Sequence, residues 1–191
     1  MLPYDVSTAL VDGSISFTKD SPVSQLSISF MNIGGELVGR YRSVISPNTM
    51  LEISFTMGGS VWLPLGQFYI DRVSTSYPEE SISVTARNGI GKLLKEQTFD
   101  DNNSFLNATL KENLEAILLL SGIESYFVGD PQKSWKLTFE PDTSLQSGID
   151  EVVSLLSGWQ FRENTDGTVG IAPITDSRFE QPSVYVFERD K

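Results

Sequence analysis

The stretch SISVTARNGIGKLL, Ser81 to Leu94, is where the chain changes its period. Ile82 and Val84 alternate with Ser81, Ser83 and Thr85, the pattern of a strand with one face buried. Past Asn88 two glycines, Gly89 and Gly91, interrupt the alternation, and the spacing that follows is helical. Gly91-Lys92 invites comparison with a phosphate loop. That loop needs a glycine five positions earlier and a Ser or Thr directly after the lysine, and Ala86 and Leu93 stand there instead. The stretch therefore reads as a strand-to-helix corner, with the glycines supplying tight backbone geometry.

Upstream of the corner the pattern is that of strands. VSQLSISF places Leu26, Ile28 and Phe30 on one face, MLEISFTM does the same with Leu51, Ile53 and Phe55, and QFYIDRVS with Phe68 and Ile70. Turn signals separate these runs at Asp12-Gly13, Lys19 to Pro22, Gly34-Gly35, Ser46-Pro47-Asn48, Gly58-Gly59 and Tyr77-Pro78-Glu79. Six or seven strands spaced in this way suggest a β-barrel or sandwich.

Downstream, Thr109 and Glu112 form a capping box ahead of Leu110, Leu114, Ile117 and Leu118, which share a helical face, and Gly122 falls where a left-handed C-cap belongs. The grammar recurs at Thr143 with Gln146, continues through Leu145, Ile149, Val152, Val153 and Leu156, and stops at Gly158. Each helix ends in Ser-Gly followed by a large apolar residue, Ile123 or Trp159, placed to pack back on the last turn in a Schellman arrangement. Strands follow as SYFV, WKLTF and WQFREN, the last turning at Asp166-Gly167 into TVGIAP. The expected fold class is β-rich α+β: residues 1–95 a barrel or sandwich, 96–175 a small α+β domain with two helices. SVYVFERDK reads as a strand that stops while still alternating, so 176–191 is expected to begin a strand leading into a further C-terminal region.

Composition narrows the chemistry. The 191 residues contain neither histidine nor cysteine, so Ser-His-Asp, Cys-His and zinc sites built on those ligands are excluded. Fourteen Lys and Arg against twenty-five Asp and Glu leave a net charge of −11, which repels phosphate. Eight of the acids lie in residues 1–90 and seventeen in 91–191. The second half thus carries most of the negative field. No apolar run reaches the ~20 residues of a membrane span, and MLPYDVSTAL lacks the regions of a signal peptide.

A hydrolase working with two carboxylates could draw on Asp71, Glu79, Glu80, Asp100, Asp101 or Glu140, but each fits a turn, a loop or a strand's polar face. DDNNS at 100–104 lacks the spacing of a calcium loop. No cofactor or metal and no enzymatic activity are expected. Trp62, Trp135 and Trp159 could line a groove or anchor a core, and Trp159, directly after a helix end, reads as core.

The order of parts carries a resemblance. GQFYIDRVSTSYPEESISVTARNGIGKLLKEQTFD, then LKENLEAILLLSGI, then DTSLQSGIDEVVSLLSGWQFRENTDGTVGIAP, resembles the hub proteins at the tip of bacteriophage and prophage tails. The match rests on Gly66, Phe68, Tyr69, Ile70, Asp71, Ala86, Arg87, Asn88, Leu93, Leu94, Phe99, Gly122, Gly158, Trp159, Asp166 and Gly167. The resemblance implies a tube-type β-barrel at the N-terminus and a structural role connecting the tail tube to the baseplate or tip. It also implies a homotrimeric ring in the full-length protein, with tail tube or distal tail proteins and tail fibre or tip proteins as partners.

On this reading DNA is passing cargo that the wall repels. The protein is made in the bacterial cytoplasm and resides in the virion tail tip. Leu26, Ile28, Phe30, Leu51, Ile53, Phe55, Phe68 and Ile70 would supply barrel core and subunit contacts, and Gly122, Gly158, Trp159, Asp166 and Gly167 would hold the α+β part in shape. The alternative is a saccharide- or peptide-binding β module of an adhesin, using Trp62 and Tyr69.

Overall fold

The computed structural model describes residues 5–17, 22–32, 45–56, 62–76, 81–100, 104–105 and 109–179. The turn signals at Gly34-Gly35, Gly58-Gly59 and Tyr77-Pro78-Glu79 and the strand read in SVYVFERDK lie outside them.

The fold is β-rich α+β: a curled half-barrel sheet followed by a small α+β region. Among the described residues the sheet has five strands, β1 Leu10–Phe17, β2 Ser24–Met31, β3 Met50–Thr56, β4 Trp62–Ser76 and β5 Ser81–Arg87. Every neighbouring pair is antiparallel, in the order β1-β2-β5-β4-β3, so β1 and β3 are the edges. Alternation puts Leu26, Ile28 and Phe30 of β2, Ile82, Val84 and Ala86 of β5, and Phe68 and Ile70 of β4 into one buried cluster. Leu51 of β3 and Ile45 complete it.

Two readings from the sequence change here. Asp12-Gly13 is not a turn but lies inside β1, where the pairing register shifts between Leu10 and Asp12. The shift absorbs an extra residue without breaking the ladder. Phe55, read as part of the buried face, is 45% exposed. β4 pairs with β5 only from Tyr69 onward, so Ser54–Thr56 and Trp62–Pro64 form a two-stranded ribbon that outruns the rest of the sheet and its core. Ile53 stands at the transition and is half-buried.

The chain leaves β5 through a single π-helical turn, Ile90–Leu94, which delivers Ile90 and Leu94 to a second core. That core is built on a three-stranded sheet, β7 Tyr126–Val128, β10 Val169–Pro173 and β9 Trp159–Glu163, in the order β7-β10-β9. β10 runs parallel to β7 and antiparallel to β9. Helix α1, Leu110–Leu120, packs on β7, and α2, Leu145–Ser154, packs on β9. The short strands β6, Ser104–Phe105, and β8, Leu137–Thr138, pair with each other. From α1 alone Leu110, Leu114, Ile117 and Leu118 are fully buried, each stabilising by roughly 1.5–3 kcal/mol relative to exposure.

The helix ends differ from one another. α1 has its capping box, with Thr109 Oγ1 accepting from Glu112 N and Glu112 Oε2 accepting from Thr109 N. Its C-terminus is a Schellman motif: Gly122 has φ +84°, and the Ile123 and Gly122 amides return to the carbonyls of Leu118 and Leu119. α2 departs from expectation at both ends. Its N-cap is Ser144, whose hydroxyl accepts from Ser147 N, one residue later than Thr143. The Leu145 amide donates to Gln97 O, and this contact from the incoming chain sets the start of the helix. At the other end the chain tightens into three-residue turns at Leu155 and Leu156, and Trp159 N reaches only Leu156 O. Gly158 takes φ +75° without closing a Schellman pair.

Candidate functional site

The densest polar construction among the described residues is the joint where the corner after β5 meets β4, the chain entering β2 and the β9–β10 hairpin. Its centre is Asn88, 5% exposed. Asn88 Oδ1 accepts from Ser24 N at 3.2 Å and Gly91 N at 3.1 Å, while its Nδ2 donates to Pro22 O at 2.8 Å. One side chain thus ties together the entry to β2 and the turn that leaves β5. Gly91 has no room for a side chain, since a Cβ there would lie 2.7 Å from Val23 Cγ1.

Arg87 and Asp71 form the second layer. The register of β4 on β5 shifts between Ile70 and Arg72, making Asp71 the bulged residue, and a bulge re-aims its side chain. Asp71 receives Arg87 in a two-pronged contact, Nε to Oδ2 at 2.5 Å and Nη2 to Oδ1 at 2.8 Å. Arg87 also donates to Gly91 O at 2.9 Å and pairs with Glu96, and Lys92 Nζ bridges Asp71 at 3.2 Å and Glu96 at 3.1 Å. The Arg87 hydrogen bonds hold the Asp71 and Glu96 carboxyls below the ordinary range. An acid held ionised between two cations cannot serve as a proton donor near neutrality.

Glu163 is the third layer. Its two oxygens accept from Gly89 N at 3.1 Å and Ile90 N at 2.9 Å. Burial, aided by the nearby Asp166 charge, pushes its pKa up to about 7 against the lowering effect of the two amides. Tyr69 is raised as well, by burial first and then by the Glu163 charge.

The residues read from the sequence fall into separate places. Leu26, Ile28, Phe30, Leu51, Phe68 and Ile70 are buried in the sheet core. Gly122 lies at the end of α1, far along the chain from the joint. Gly158 precedes half-buried Trp159, whose ring edge sits where a Cβ on Gly129 would go, 2.9 Å away. Asp166 and Gly167 form the β9–β10 turn: Asp166 Oδ1 accepts from Thr168 N at 2.8 Å, Gly167 has φ +83°, and the Gly167 backbone rests against Gln67 of β4. This turn therefore abuts the joint.

Asp100 and Glu140 are exposed, and Glu79, Glu80 and Asp101 lie outside the described residues. Trp62 and Tyr69 share the outer face of β4, where they pair with Thr56 and Met50, but at ~3.3 Å per residue they stand roughly 20 Å apart. A cavity of ≈ 280 Å³ runs past Trp135, Leu137, Phe139 and Leu155, and one of ≈ 50 Å³ lies at the joint beside Gln67, Asn88 and Glu163. Neither is lined by Trp62 or Tyr69. Among the described residues no group of three or more His, Cys, Asp or Glu is gathered as for a metal ion, and no helix is long and apolar enough to cross a membrane.

Asn88 carries a local signal: an Asn between a strand and a glycine is the residue type that bonds to nearby backbone. Glu163 had none, because its partners lie 74 and 73 residues away.

This geometry defines a class by its frame: a half-barrel sheet joined through a polar corner to a two-helix α+β unit. Solved tail proteins share the fold. The tail protein from Neisseria meningitidis MC58 superposes with a TM-score of 0.57 at 14% identity, covering 87% of this chain and 51% of that one. The 43 kDa tail protein of prophage MuSo2 from Shewanella oneidensis gives 0.54 at 16% identity, covering 83% and 48%. Prophage tail protein gp18 from Listeria monocytogenes EGD-e gives 0.52 at 12% identity, covering 91% and 46%. The chain spans about half the length of these three proteins. No protein-family model and no curated protein matches its sequence.

Proposed function

We propose that the chain is a structural component of a phage or prophage tail tip, the hub that connects the tail tube to the baseplate or tip and that assembles, in the full-length protein, as a homotrimeric ring. The observation that carries this reading is a sheet whose edge strands, β1 and β3, have no further strand paired to them among the described residues. β1 and β3 contain no Lys, Arg or Pro and a single acid each, Asp12 and Glu52, so the charges and prolines that discourage edge pairing are sparse on them. Leu10, Val11 and Phe17 on β1 and Met50 and Phe55 on β3 are exposed. Two unlike edges on one sheet pair head-to-tail, and such contacts close into rings when the rotation permits.

Likeness in fold to three tail proteins supports the same reading. Tail tube or distal tail proteins and tail fibre or tip proteins are the neighbours such a hub meets. The protein acts in the virion tail tip after synthesis in the bacterial cytoplasm, and no catalytic role is assigned to it. A net charge of −11 lets DNA pass as cargo without being bound.

Sedimentation of the full-length protein tests this. A trimer is expected, weakened by Val11→Lys on the β1 edge with no loss of thermal stability, whereas the 191-residue chain alone is largely monomeric. A full-length protein that stays monomeric at high concentration overturns the ring.

The alternative, a saccharide- or peptide-binding module, draws on Trp62, which is 60% exposed and on the same face as Tyr69. An array of glycans and cell-wall fragments decides it: micromolar binding lost in Trp62→Ala favours the adhesin.

A further inference from the structure

Asn88, at the centre of the joint, is the only asparagine followed by glycine in the 191 residues. Such a pair carries chemistry of its own. The glycine nitrogen is tethered within reach of the asparagine side-chain carbonyl carbon, and with no Cβ beside it the attack meets the least hindrance. The bond from Gly89 N to Asn88 Cγ forms and the Cγ–Nδ2 bond breaks, Nδ2 leaving as ammonia with the proton of the Gly89 amide. Water then opens the five-membered imide. Addition at Cγ gives aspartate, whereas addition at the Asn88 main-chain carbonyl carbon routes the chain through Cβ and Cγ and gives isoaspartate.

The closed joint blocks the first step from both sides. The Asn88 side chain is 5% exposed and bonded to Ser24 N, Gly91 N and Pro22 O, so Cγ cannot turn toward the Gly89 nitrogen without releasing partners on two other segments. The Gly89 amide donates to Glu163 Oε1 at 3.1 Å, and the Asn88 carbonyl accepts from Lys92 N at 3.0 Å. The peptide plane between the two residues is therefore held at both its polar atoms. Opening of the joint frees nucleophile and electrophile together.

We propose that Asn88-Gly89 is a self-modification site gated by the joint: closed, the pair is inert, and opened, it deamidates and the joint no longer closes as before. The inference rests on the joint alone and stands independently of the assembly role. The one-way character follows from the contacts. Neither product has an Nδ2 to donate to Pro22 O. Its carboxylate enters beside Glu163, since both residues line the ≈ 50 Å³ cavity, and like charges so placed repel. Isoaspartate also adds one atom to the main chain, inside a turn too tight for a Cβ on Gly91.

The test is peptide mapping by mass spectrometry of the 191-residue chain held in mildly alkaline buffer, with residues 84–93 as a free peptide giving the intrinsic rate. The readout is the mass gained when NH2 becomes OH at residue 88. The folded chain is expected to convert more slowly than the peptide on the order of a hundredfold, the factor by which three net hydrogen bonds favour the closed form. Gly91→Ala keeps the Asn-Gly pair but drives a Cβ to 2.7 Å from Val23 Cγ1, so it is expected to convert on the order of tenfold faster than the wild type. Asn88→Asp reproduces one product and is expected to melt below the wild type. A wild-type chain that converts as fast as the peptide overturns the gate, as does a folded Gly91→Ala that converts no faster than the wild type. An Asn88→Asp chain that melts with the wild type overturns the one-way step. Should Gly91→Ala fail to fold, the comparison of wild type with peptide decides the gate alone.

Discussion

Replacing Asn88 by Ala removes a side chain whose three hydrogen bonds connect two segments more than sixty residues apart. The backbone bonds of residue 88, from its amide to Ser24 O and from Lys92 N to its carbonyl, survive the change. Only the side chain's contribution is read. Gly91 N is left without its acceptor in a buried setting, a loss of roughly 1–3 kcal/mol. Ser24 N and Pro22 O sit in half-open positions where water replaces the amide, so each loses about 0.5–1.5 kcal/mol. The expected total is about 3 kcal/mol, a large share of the ~5–15 kcal/mol by which domains are stable. Urea unfolding followed by tryptophan fluorescence and by circular dichroism measures it, with an unchanged slope confirming that the same surface unfolds. A loss below about 1 kcal/mol would mean that the three contacts do not hold the joint, and the account of the corner would be wrong.

Gly148→Ala separates two effects of opposite sign. Helix propensity favours Ala by up to about 1 kcal/mol, but the added Cβ would sit 2.6 Å from the ring of Phe99. Phe99 is 1% exposed and stacked on Phe139 at 4.2 Å; overpacking of ~1–3 kcal/mol therefore wins, and the melting temperature falls. Thr109→Ala breaks the capping box of α1 at a cost of about 1 kcal/mol by chemical denaturation. The pH profile of stability carries two opposed slopes. Asp71, held low chiefly by Arg87, contributes stability that is present above its ordinary pKa of 3.8 and is lost as acid titrates it. Glu163, raised to about 7 by burial, contributes stability that is full below 4.5 and lost as the pH climbs through 7. Difference curves from unfolding experiments between pH 2 and 8 are expected to show Asp71→Asn flattening the acid limb and Glu163→Gln flattening the neutral one.

What the sequence disclosed divides by the range of the interaction. The α1 capping box and its Schellman end are spelled within four or five residues, so Thr109, Glu112, Gly122 and Ile123 announce them directly. The core faces of β2, β4 and β5 are period-two patterns and were equally plain. The start of α2 slipped by one residue because a contact from Gln97, not the local Thr143/Gln146 spacing, sets it. Phe55 alternates in step with Leu51 and Ile53, and no pattern within β3 tells where its neighbours in the sheet stop covering it. The Asp71 bulge and the Glu163 contact lie further out of reach, because each is decided by residues on other elements.

The position of these long-range contacts bears on what the molecule is built to do. The apolar cores lie on either side of the corner, the sheet cluster running from Leu26 to Ala86 and the other taking Ile90, Leu94 and the helices. Apolar packing is non-directional and does not by itself define the angle at which one core meets the next. Directional bonds do, and several are found here: the three from Asn88, the Arg87 bond to Gly91 O, the Lys92 bridge to Asp71 and the two amides held by Glu163. The assembly proposed above, through the edges of the sheet, would need that kind of joint, because an error of a few degrees at the corner is carried along everything attached beyond it. The polar side chains gathered at the corner, Asn88, Arg87, Lys92 and Glu163, are accordingly engaged in fixing that orientation.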